Sequence, residues 1–134
     1  MDNKPKVTII MPVYKTEQYI KETIQSVLKQ SYTNIELLCI NDDTPDGAFE
    51  ICKEYHKKYP WIRLIENGKN QGLEDTRNHG LDEMTGEYVL FLDSDDTISE
   101  NMLEQMVDVA MEEDSDVVMS AYSMVVDGRE EPVL

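Results

Sequence analysis

Short apolar runs alternate with stretches of helical periodicity along most of this chain. The runs at residues 7–11, 35–40, 62–65 and 88–92 are continuous enough to predict buried strands, and Pro12 ends the first of them. A run at residues 117–119 predicts the beginning of a fifth strand. Between the runs, apolar residues recur at the three- and four-residue spacing of amphipathic helices.

This spacing predicts four helices, over residues 17–30, 48–59, 73–84 and 103–110. Thr16 is a suitable N-cap for the first helix. In the third helix, Arg77 falls within the apolar stripe that includes Leu73 and Leu81. A buried guanidinium needs an anionic partner, either a strand-end aspartate or a bound phosphate. The alternative is an arginine whose charged head reaches solvent.

Buried strands that alternate with amphipathic helices predict an α/β fold. Its mostly parallel sheet would be covered by helices on both faces, as a three-layer α/β/α sandwich. The length of 134 residues suits a single domain over residues 1–134. Ligands of such sheets bind at the carboxyl ends of the strands, so the residues that follow each strand are the candidates for function.

The charge of the chain disfavours polyanionic partners. Asp and Glu number 28 against 12 Lys and Arg, which gives a net charge of −16, and all but one of the basic residues lie at or before Arg77. Nucleic acids and anionic lipids are bound mainly through Lys and Arg, so we expect no nucleic-acid partner. An anionic ligand would need a cation beside it.

Membrane insertion and disulfide bonding are not expected either. The apolar run at residues 88–92 is far shorter than the roughly 20 residues that span a bilayer. Cys39 and Cys52 occupy apolar positions, where we expect small buried side chains rather than a disulfide framework. Because no signal peptide is recognisable, the expected location is the cytoplasm. A longer enzyme that contains this chain could lie at the inner face of a membrane.

The sharpest motif is Asp93-Ser94-Asp95-Asp96, directly after a hydrophobic strand. Three carboxylates this close repel one another unless they are solvated, protonated or bound to a cation, and such ligands suit Mg²⁺, Mn²⁺ or Ca²⁺. An alternative is that Asp96 or Thr97 caps the next helix, since residues 97–100 have the pattern of a capping box. A calcium loop of the EF-hand type is disfavoured because Ile98 stands where that loop needs Gly.

Other polar residues carry weaker signals. Asp42 follows the second strand at the same predicted edge as Asp93, and either a ligand role or a turn role explains it. Asp46 is a suitable cap for the second helix. His56 and His79 point away from the apolar helix faces and are predicted to be solvated. No catalytic triad, Walker loop or Gly-x-Gly-x-x-Gly motif is recognisable.

Taken together, the motifs resemble the N-terminal part of the family 2 glycosyltransferases, which have the GT-A fold. The resemblance runs from residue 7 to about residue 120, and it is carried by VTIIMPVY at 7–14, ETIQSVLKQ at 22–30, IND at 40–42, NQGL at 70–73, RN at 77–78 and GEYVLFLDSDD at 86–96. Asp93-Ser94-Asp95 stands where that family has its Asp-x-Asp motif.

The resemblance implies inverting transfer of a sugar from a nucleotide diphosphate donor, usually a UDP-sugar, to an acceptor such as a glycan, lipid or protein. The sheet would then be a Rossmann-like nucleotide-binding half. Pro12, Val13 and Tyr14 would line the nucleotide pocket through their backbone, and Asp42 would accept a hydrogen bond from uracil. Asp93 would contact the nucleotide, and Asp95, with Asp93, would hold Mn²⁺ or Mg²⁺. Arg77 would support the site near the diphosphate.

Three positions depart from the family pattern. Asn41 replaces an Asp, Asp43 replaces a Gly, and Lys15 replaces a common Asn. The family's catalytic domain also continues well beyond the length of this chain, so we expect a truncated fold whose general base lies beyond Leu134. The rival interpretations are an inactive binding domain, a receiver-type signalling domain and a sugar-nucleotide pyrophosphorylase. The last two lack expected motifs after the first strand.

Overall fold

The computed structural model describes residues 4–112 with their side chains, and residues 122–126 and 129–133 by their backbone. Strands and helices alternate in the predicted order. They are β1 (Val7–Val13), α1 (Ile20–Leu28), β2 (Ile35–Asn41), α2 (Ala48–Lys58), β3 (Ile62–Glu66), α3 (Leu73–Glu83), β4 (Tyr88–Phe91) and α4 (Met102–Glu112). Two further strands, β5 (Tyr122–Val126) and β6 (Arg129–Val133), form an antiparallel pair. The strand start predicted at residues 117–119 lies outside the described residues.

The first four strands form one parallel sheet in the order β3-β2-β1-β4. Side chains alternate between its two faces. On one face, residues such as Ile9, Met11 and Leu37 form the larger core with α1, α2 and α4. On the other face, Ile10 and Ile40 belong to a smaller core beneath α3. The predicted α/β fold with helices on both faces is therefore confirmed.

Helix α3 packs closely on the sheet through small residues. Thr76 and Gly80 are buried, and a Cβ atom on Gly80 would lie 2.6 Å from an Ile10 methyl carbon. A leucine in that position would hold the helix away from the sheet. The predicted apolar stripe was therefore wrong in part, since Leu73 and Leu81 are 49% and 41% exposed.

Strand β1 does not end at Pro12 but continues through it to Val13. The Ile10 carbonyl accepts the Leu92 N–H, so Pro12, two residues further along, faces the same side of the strand. The last β4 residue paired with β1 is Phe91, opposite Ile10. Pro12 lies beyond that pair, and its missing N–H removes no bond from the sheet.

The predicted start of the first helix and the caps suggested for the first and fourth helices differ from the structure. Helix α1 begins at Ile20, and the Thr16 hydroxyl bonds to Ser94 rather than capping the helix. Helix α4 begins at Met102, so neither Asp96 nor Thr97 caps it. The acidic motif instead lies in a long loop between β4 and α4. Because a strand precedes that loop, the EF-hand interpretation also fails.

The structure also bears on the predictions for Asp46, for the two cysteines and for membrane-spanning helices. The N-cap of α2 is Gly47 rather than Asp46, but the Asp46 carboxylate does accept the N–H of Ala48, the first residue of the helix, at 3.1 Å. Cys39 and Cys52 are buried free thiols, as predicted. Within the described part of the chain, none of the helices combines the length and apolar character needed to cross a bilayer.

Candidate functional site

A pocket of about 360 Å³ opens at the carboxyl ends of β1, β2 and β4. Its walls come from the loops that follow these strands and from the segment that precedes α3. The lining residues are Pro12, Tyr14, Thr16, Asp42, Asn70, Gly72, Leu73, Asp93, Ser94 and Asp95. Most of the predicted site residues therefore converge on one pocket, because parallel strands end at the same edge of a sheet.

Val13 and Arg77 are the two predicted site residues that do not line this pocket. The Val13 side chain is fully buried in the larger core. Its carbonyl accepts the Asp42 N–H at 3.1 Å, so this backbone group is already occupied. Val13 thus fixes the position of Asp42 rather than facing the pocket with its side chain.

Asp42 is only 4% exposed and its carboxylate is fully hydrogen-bonded. Oδ1 accepts the Gln71 N–H at 2.7 Å and the Asn67 side-chain amide at 2.9 Å. Oδ2 accepts the Gly72 N–H at 3.1 Å and the Asn70 side-chain amide at 3.3 Å. Four donors match the roughly four acceptor sites of a carboxylate. Asp42 therefore organises the loop at residues 67–72, which forms one wall of the pocket.

A second layer of contacts behind Asp42 was missed from the sequence. The Asn67 side-chain amide also donates to the Thr76 hydroxyl at 2.8 Å, and its oxygen lies 2.6 Å from His79 Nδ1. His79 is half-buried, and the prediction that it is solvated was wrong. His56 is also half-buried, with Nδ1 bonded to the Ile62 carbonyl. The only local signal was Asn67-Gly68, which indicates a turn but not its partners.

The acidic motif forms a compact cluster. Asp93, Asp95 and Asp96 each offer a carboxylate oxygen, and these oxygens lie within 4.8 Å of one another. The Asp96 N–H donates to the Asp93 carbonyl at 3.0 Å, which closes the turn that brings them together. Burial, followed by the negative charges of Asp95 and Asp93, raises the pKa of the Asp96 carboxyl above its ordinary value.

The spacing of this cluster suits a divalent cation. Oxygen ligands of Mg²⁺ lie about 2.1 Å from the ion, so opposite ligands are about 4.2 Å apart. Neighbouring ligands of an octahedral ion are closer, about 3 Å apart, so the three carboxylates would move towards one another to share one ion. Because the ligands are all hard oxygens, the chemistry of the set favours Mg²⁺ or Mn²⁺ over softer metals.

Arg77 lies beside the cluster at the end of the pocket. Its Nη2 is 3.3 Å from Asp93 Oδ1, and its guanidinium carbon is 5.6 Å from the centroid of the Phe91 ring. A strand-end aspartate was one of the partners that the sequence analysis considered for Arg77. The guanidinium remains partly exposed, with 37% of its side-chain surface accessible. Its Nε is buried and makes no hydrogen bond within the described residues.

The sequence pattern of the family described as Glycosyl transferase family 2 matches residues 8–132. This chain belongs to that family. The predicted resemblance is therefore confirmed, and the receiver-type and pyrophosphorylase interpretations are set aside. Glycosyl transferase family 2 also accounts for the order of the motifs around the pocket, from the loop after β1 to the acidic loop after β4.

Curated proteins that are similar to this chain include two of much greater length. Glycosyltransferase GlyA of Streptococcus pneumoniae serotype 4 is 39% identical over 117 residues, which are 87% of this chain and 17% of GlyA. The minor teichoic acid biosynthesis protein GgaB of Bacillus subtilis is 41% identical over 102 residues, which are 75% of this chain and 11% of GgaB. The chain thus spans less than a fifth of either protein.

A solved structure of the same fold is that of S. aureus TarS 1-349 in complex with UDP-GlcNAc. It matches this chain with a TM-score of 0.83 and 32% sequence identity, over 92% of this chain and 36% of the TarS chain. The fold of the described residues is accordingly that of the GT-A glycosyltransferases.

Two of the departures from the glycosyl transferase family 2 pattern adopt left-handed backbone. Asp43 and Lys15 both have φ of 55°. Such φ values favour glycine, and Asn or Asp tolerate them better than Lys does. Asp43 thus occupies a conformation that Gly adopts without strain, as its replacement of a family Gly suggested. Both strained residues lie in the loops that border the pocket.

Proposed function

We propose that residues 1–134 form one domain, the donor-binding part of an inverting glycosyltransferase that uses a UDP-sugar and a divalent cation, Mn²⁺ or Mg²⁺. The observation that carries the proposal is the shared edge of the sheet. There, the acidic cluster and the loop organised by Asp42 face one pocket of about 360 Å³. The TarS structure, which contains UDP-GlcNAc, supports a UDP-sugar as the donor.

In this proposal, each part of the pocket has a different task. Asp95 and Asp93 hold the cation, and Asp96 adds negative charge beside them. When bound, the ion neutralises charge on the diphosphate leaving group. Arg77 keeps Asp93 in place through their 3.3 Å contact and has an unused Nε–H donor within the described residues. Tyr14 and the loop at residues 67–72 border the space for the nucleoside.

The electrostatics of the chain support the use of a cation. The net charge is −16, and the pocket edge contains several carboxylates. A diphosphate would be repelled from such a surface unless a positive charge lay between them. Divalent metals are common in GT-A glycosyltransferases, and the hard-oxygen ligands of this cluster suit them. The same ion would relieve the repulsion within the cluster.

The proposal assigns this chain the donor side of the reaction. Its relatives are several times longer, so the acceptor site and the general base are expected in the rest of such enzymes. The resemblance to GgaB supports a role in polysaccharide biosynthesis. The proposal places this role in the cytoplasm. We expect the isolated chain to bind nucleotide weakly and to transfer little sugar. Sugar transfer by the chain at an ordinary enzyme rate would contradict this part of the proposal.

Calorimetric titration of UDP into the chain tests the donor site. With Mn²⁺ present we expect binding, and with EDTA we expect little or none. Asp95→Ala should lower the affinity for UDP in Mn²⁺ roughly tenfold or more, equivalent to about 1.4 kcal/mol, because a residue that would hold the cation is lost.

Asp82→Ala is the matched control, since it removes the same charge from an exposed position on α3. It should bind UDP as the parent chain does. Equal losses of affinity in the two variants would mean that overall charge, rather than a cation held by Asp95, governs binding. A folded chain that binds UDP equally well in Mn²⁺ and EDTA would overturn the metal site.

A further inference from the structure

Ser94, at the centre of the acidic motif, lines the pocket together with both of its neighbours, but its side chain is buried. It is 3% exposed, and its hydroxyl lies 2.6 Å from the Thr16 hydroxyl. Its carbonyl accepts the hydroxyl hydrogen of Thr23 at 3.0 Å. Thr23 is itself fully buried on α1. Ser94 is thus fixed by two threonines, one before α1 and one within it.

The same face of α1 holds the rest of the loop. The Ser26 hydroxyl accepts the Ile98 N–H at 3.2 Å. Gln30 donates to the Ser99 carbonyl at 2.6 Å and accepts the Leu103 N–H at 3.1 Å. Thr23 and Ser26 are three residues apart on one face of α1, and Gln30 follows two residues after the helix ends, so the three side chains form one polar row. This row bonds to the loop backbone from the acidic motif to the start of α4.

Polar side chains on an inward helix face are costly to bury unless they are hydrogen-bonded. Here their partners are backbone groups of the loop, so the row is satisfied and the loop is fixed. Without such anchors, three mutually repelling carboxylates on a surface loop would move apart. The hydrogen bonds from this row keep the carboxylate oxygens of the acidic cluster within 4.8 Å of one another.

We propose that Thr16, Thr23 and Ser94 are positioning residues that hold the acidic cluster in the geometry that binds a divalent cation. Their contribution is made through the loop backbone, and none of them is a ligand. The inference rests on the proposed function, since it assigns support to the cation site proposed above. Pre-organised ligands bind an ion more tightly, and loss of supporting contacts commonly lowers metal affinity by about 10- to 100-fold.

Titration of the chain with Mn²⁺ alone, followed by the EPR signal of unbound Mn²⁺, tests this inference. Thr23→Val preserves the shape of the side chain but removes the bond to the Ser94 carbonyl. Ser94→Ala removes the bond to Thr16. Each should lower Mn²⁺ affinity by about tenfold. Thr23→Ser keeps the hydroxyl and should retain the affinity of the parent chain.

Thr8→Val is the matched control for Thr23→Val. Thr8 is also fully buried, and its hydroxyl donates to Glu36 at 2.7 Å at the amino ends of the strands, away from the acidic cluster. Thr8→Val should lower the free energy of unfolding but leave Mn²⁺ affinity unchanged. This control separates general destabilisation from loss of the cation site.

The possible outcomes separate this inference from the proposed function. If Asp95→Ala loses Mn²⁺ while Thr23→Val and Ser94→Ala bind it as the parent does, the positioning role is wrong and the cation site stands. If Thr23→Ser is as weak as Thr23→Val, the hydroxyl is not responsible and the inference is again overturned. If Asp95→Ala binds Mn²⁺ as tightly as the parent, the proposed cation site itself fails.

Discussion

Glu36, at the amino end of the parallel sheet, and the acidic cluster, at its carboxyl end, place their carboxylates in opposite environments. At the amino end, Glu36 is 2% exposed, and burial alone would raise its pKa. Hydrogen bonds from Thr8, the Thr85 N–H and Arg63 outweigh that effect and lower the pKa of Glu36 to about 2. At the carboxyl end, burial and the neighbouring charges of Asp95 and Asp93 raise the pKa of Asp96.

Because of this difference, we expect Glu36 to stabilise the fold and the acidic cluster to bind a cation. The Glu36 carboxylate is matched by donors and by the cations Arg63 and Lys6, at 3.2 and 3.8 Å. The acidic cluster is matched in part by Arg77, while Asp95 and Asp96 have no ion pair within the described residues. The carboxylates of the cluster therefore still repel one another in the folded chain. A bound cation would remove this repulsion, and the energy so released would favour its binding. Functional sites commonly depart from local optimisation in this way.

The amino-end carboxylate can be tested by changing it to its uncharged analogue. In the structure, one Glu36 oxygen accepts a hydrogen bond from Arg63 and the other accepts one from the Thr85 N–H. In Glu36→Gln, the new NH₂ group replaces one of these oxygens, so two donors face each other and that hydrogen bond is lost. Breaking one side of a buried ion pair costs about 3 kcal/mol, so we expect a loss of that size in the free energy of unfolding. Urea unfolding measures it.

Glu54→Gln is the control for this substitution, since Glu54 is 74% exposed and pairs only with Lys57 in an i,i+3 contact. Its effect should stay within about 0.5 kcal/mol. Similar losses in the two variants would show that the burial and partners of Glu36 carry no special stability.

Acid should remove the same stabilisation from the parent chain. The folded pKa of Glu36, about 2, lies below its ordinary value of 4.5, so the folded state binds fewer protons between these values. The contribution of Glu36 is therefore complete above about pH 4.5 and is lost as the pH falls from there towards 2. The shift corresponds to about 3 kcal/mol.

Urea unfolding from pH 7 to pH 2.5 measures this loss, and Glu36→Gln isolates the part due to this residue. The difference in stability between parent and variant should shrink steadily below pH 4.5. A difference that stays constant down to pH 2.5 would show that the Glu36 pKa is not lowered by folding.

The strands and the strand-end aspartates were predictable because their signals are local. A continuous apolar run predicts a buried parallel strand, and parallel strands end at the same edge. Asp42 and Asp93 were therefore expected at the same edge of the sheet once the fold class was known, and the strand order β3-β2-β1-β4 brings both to one pocket. The replacement of a family Gly by Asp43 was also visible in the sequence, and the structure gives this residue a φ of 55°.

The contacts that support the site were not predictable, because they join residues far apart in sequence. The Thr16 hydroxyl satisfies a local rule for helix capping, but its partner Ser94 lies 78 residues away. His79 satisfies the rule for a solvated helix face, but Asn67 draws it into the layer behind Asp42. In each case a tertiary hydrogen bond outweighed a local preference, and a single sequence gives no information about such pairs.

The smallest expected change in stability comes from a substitution in the acidic cluster. It is a gain, whereas Glu36→Gln is expected to cause a loss. Because the pKa of Asp96 is raised on folding, its ionised form disfavours the folded state at neutral pH. Asp96→Asn should therefore stabilise the chain by a few tenths of a kcal/mol, about 0.3, in urea unfolding with EDTA, as expected for an exposed charge interaction. With Mn²⁺ in place of EDTA, the gain should vanish, because the ion then attracts the carboxylate that repelled its neighbours. A variant that is less stable than the parent in EDTA would show that Asp96 makes a stabilising contact, and the two ends of the sheet would no longer differ in the way described.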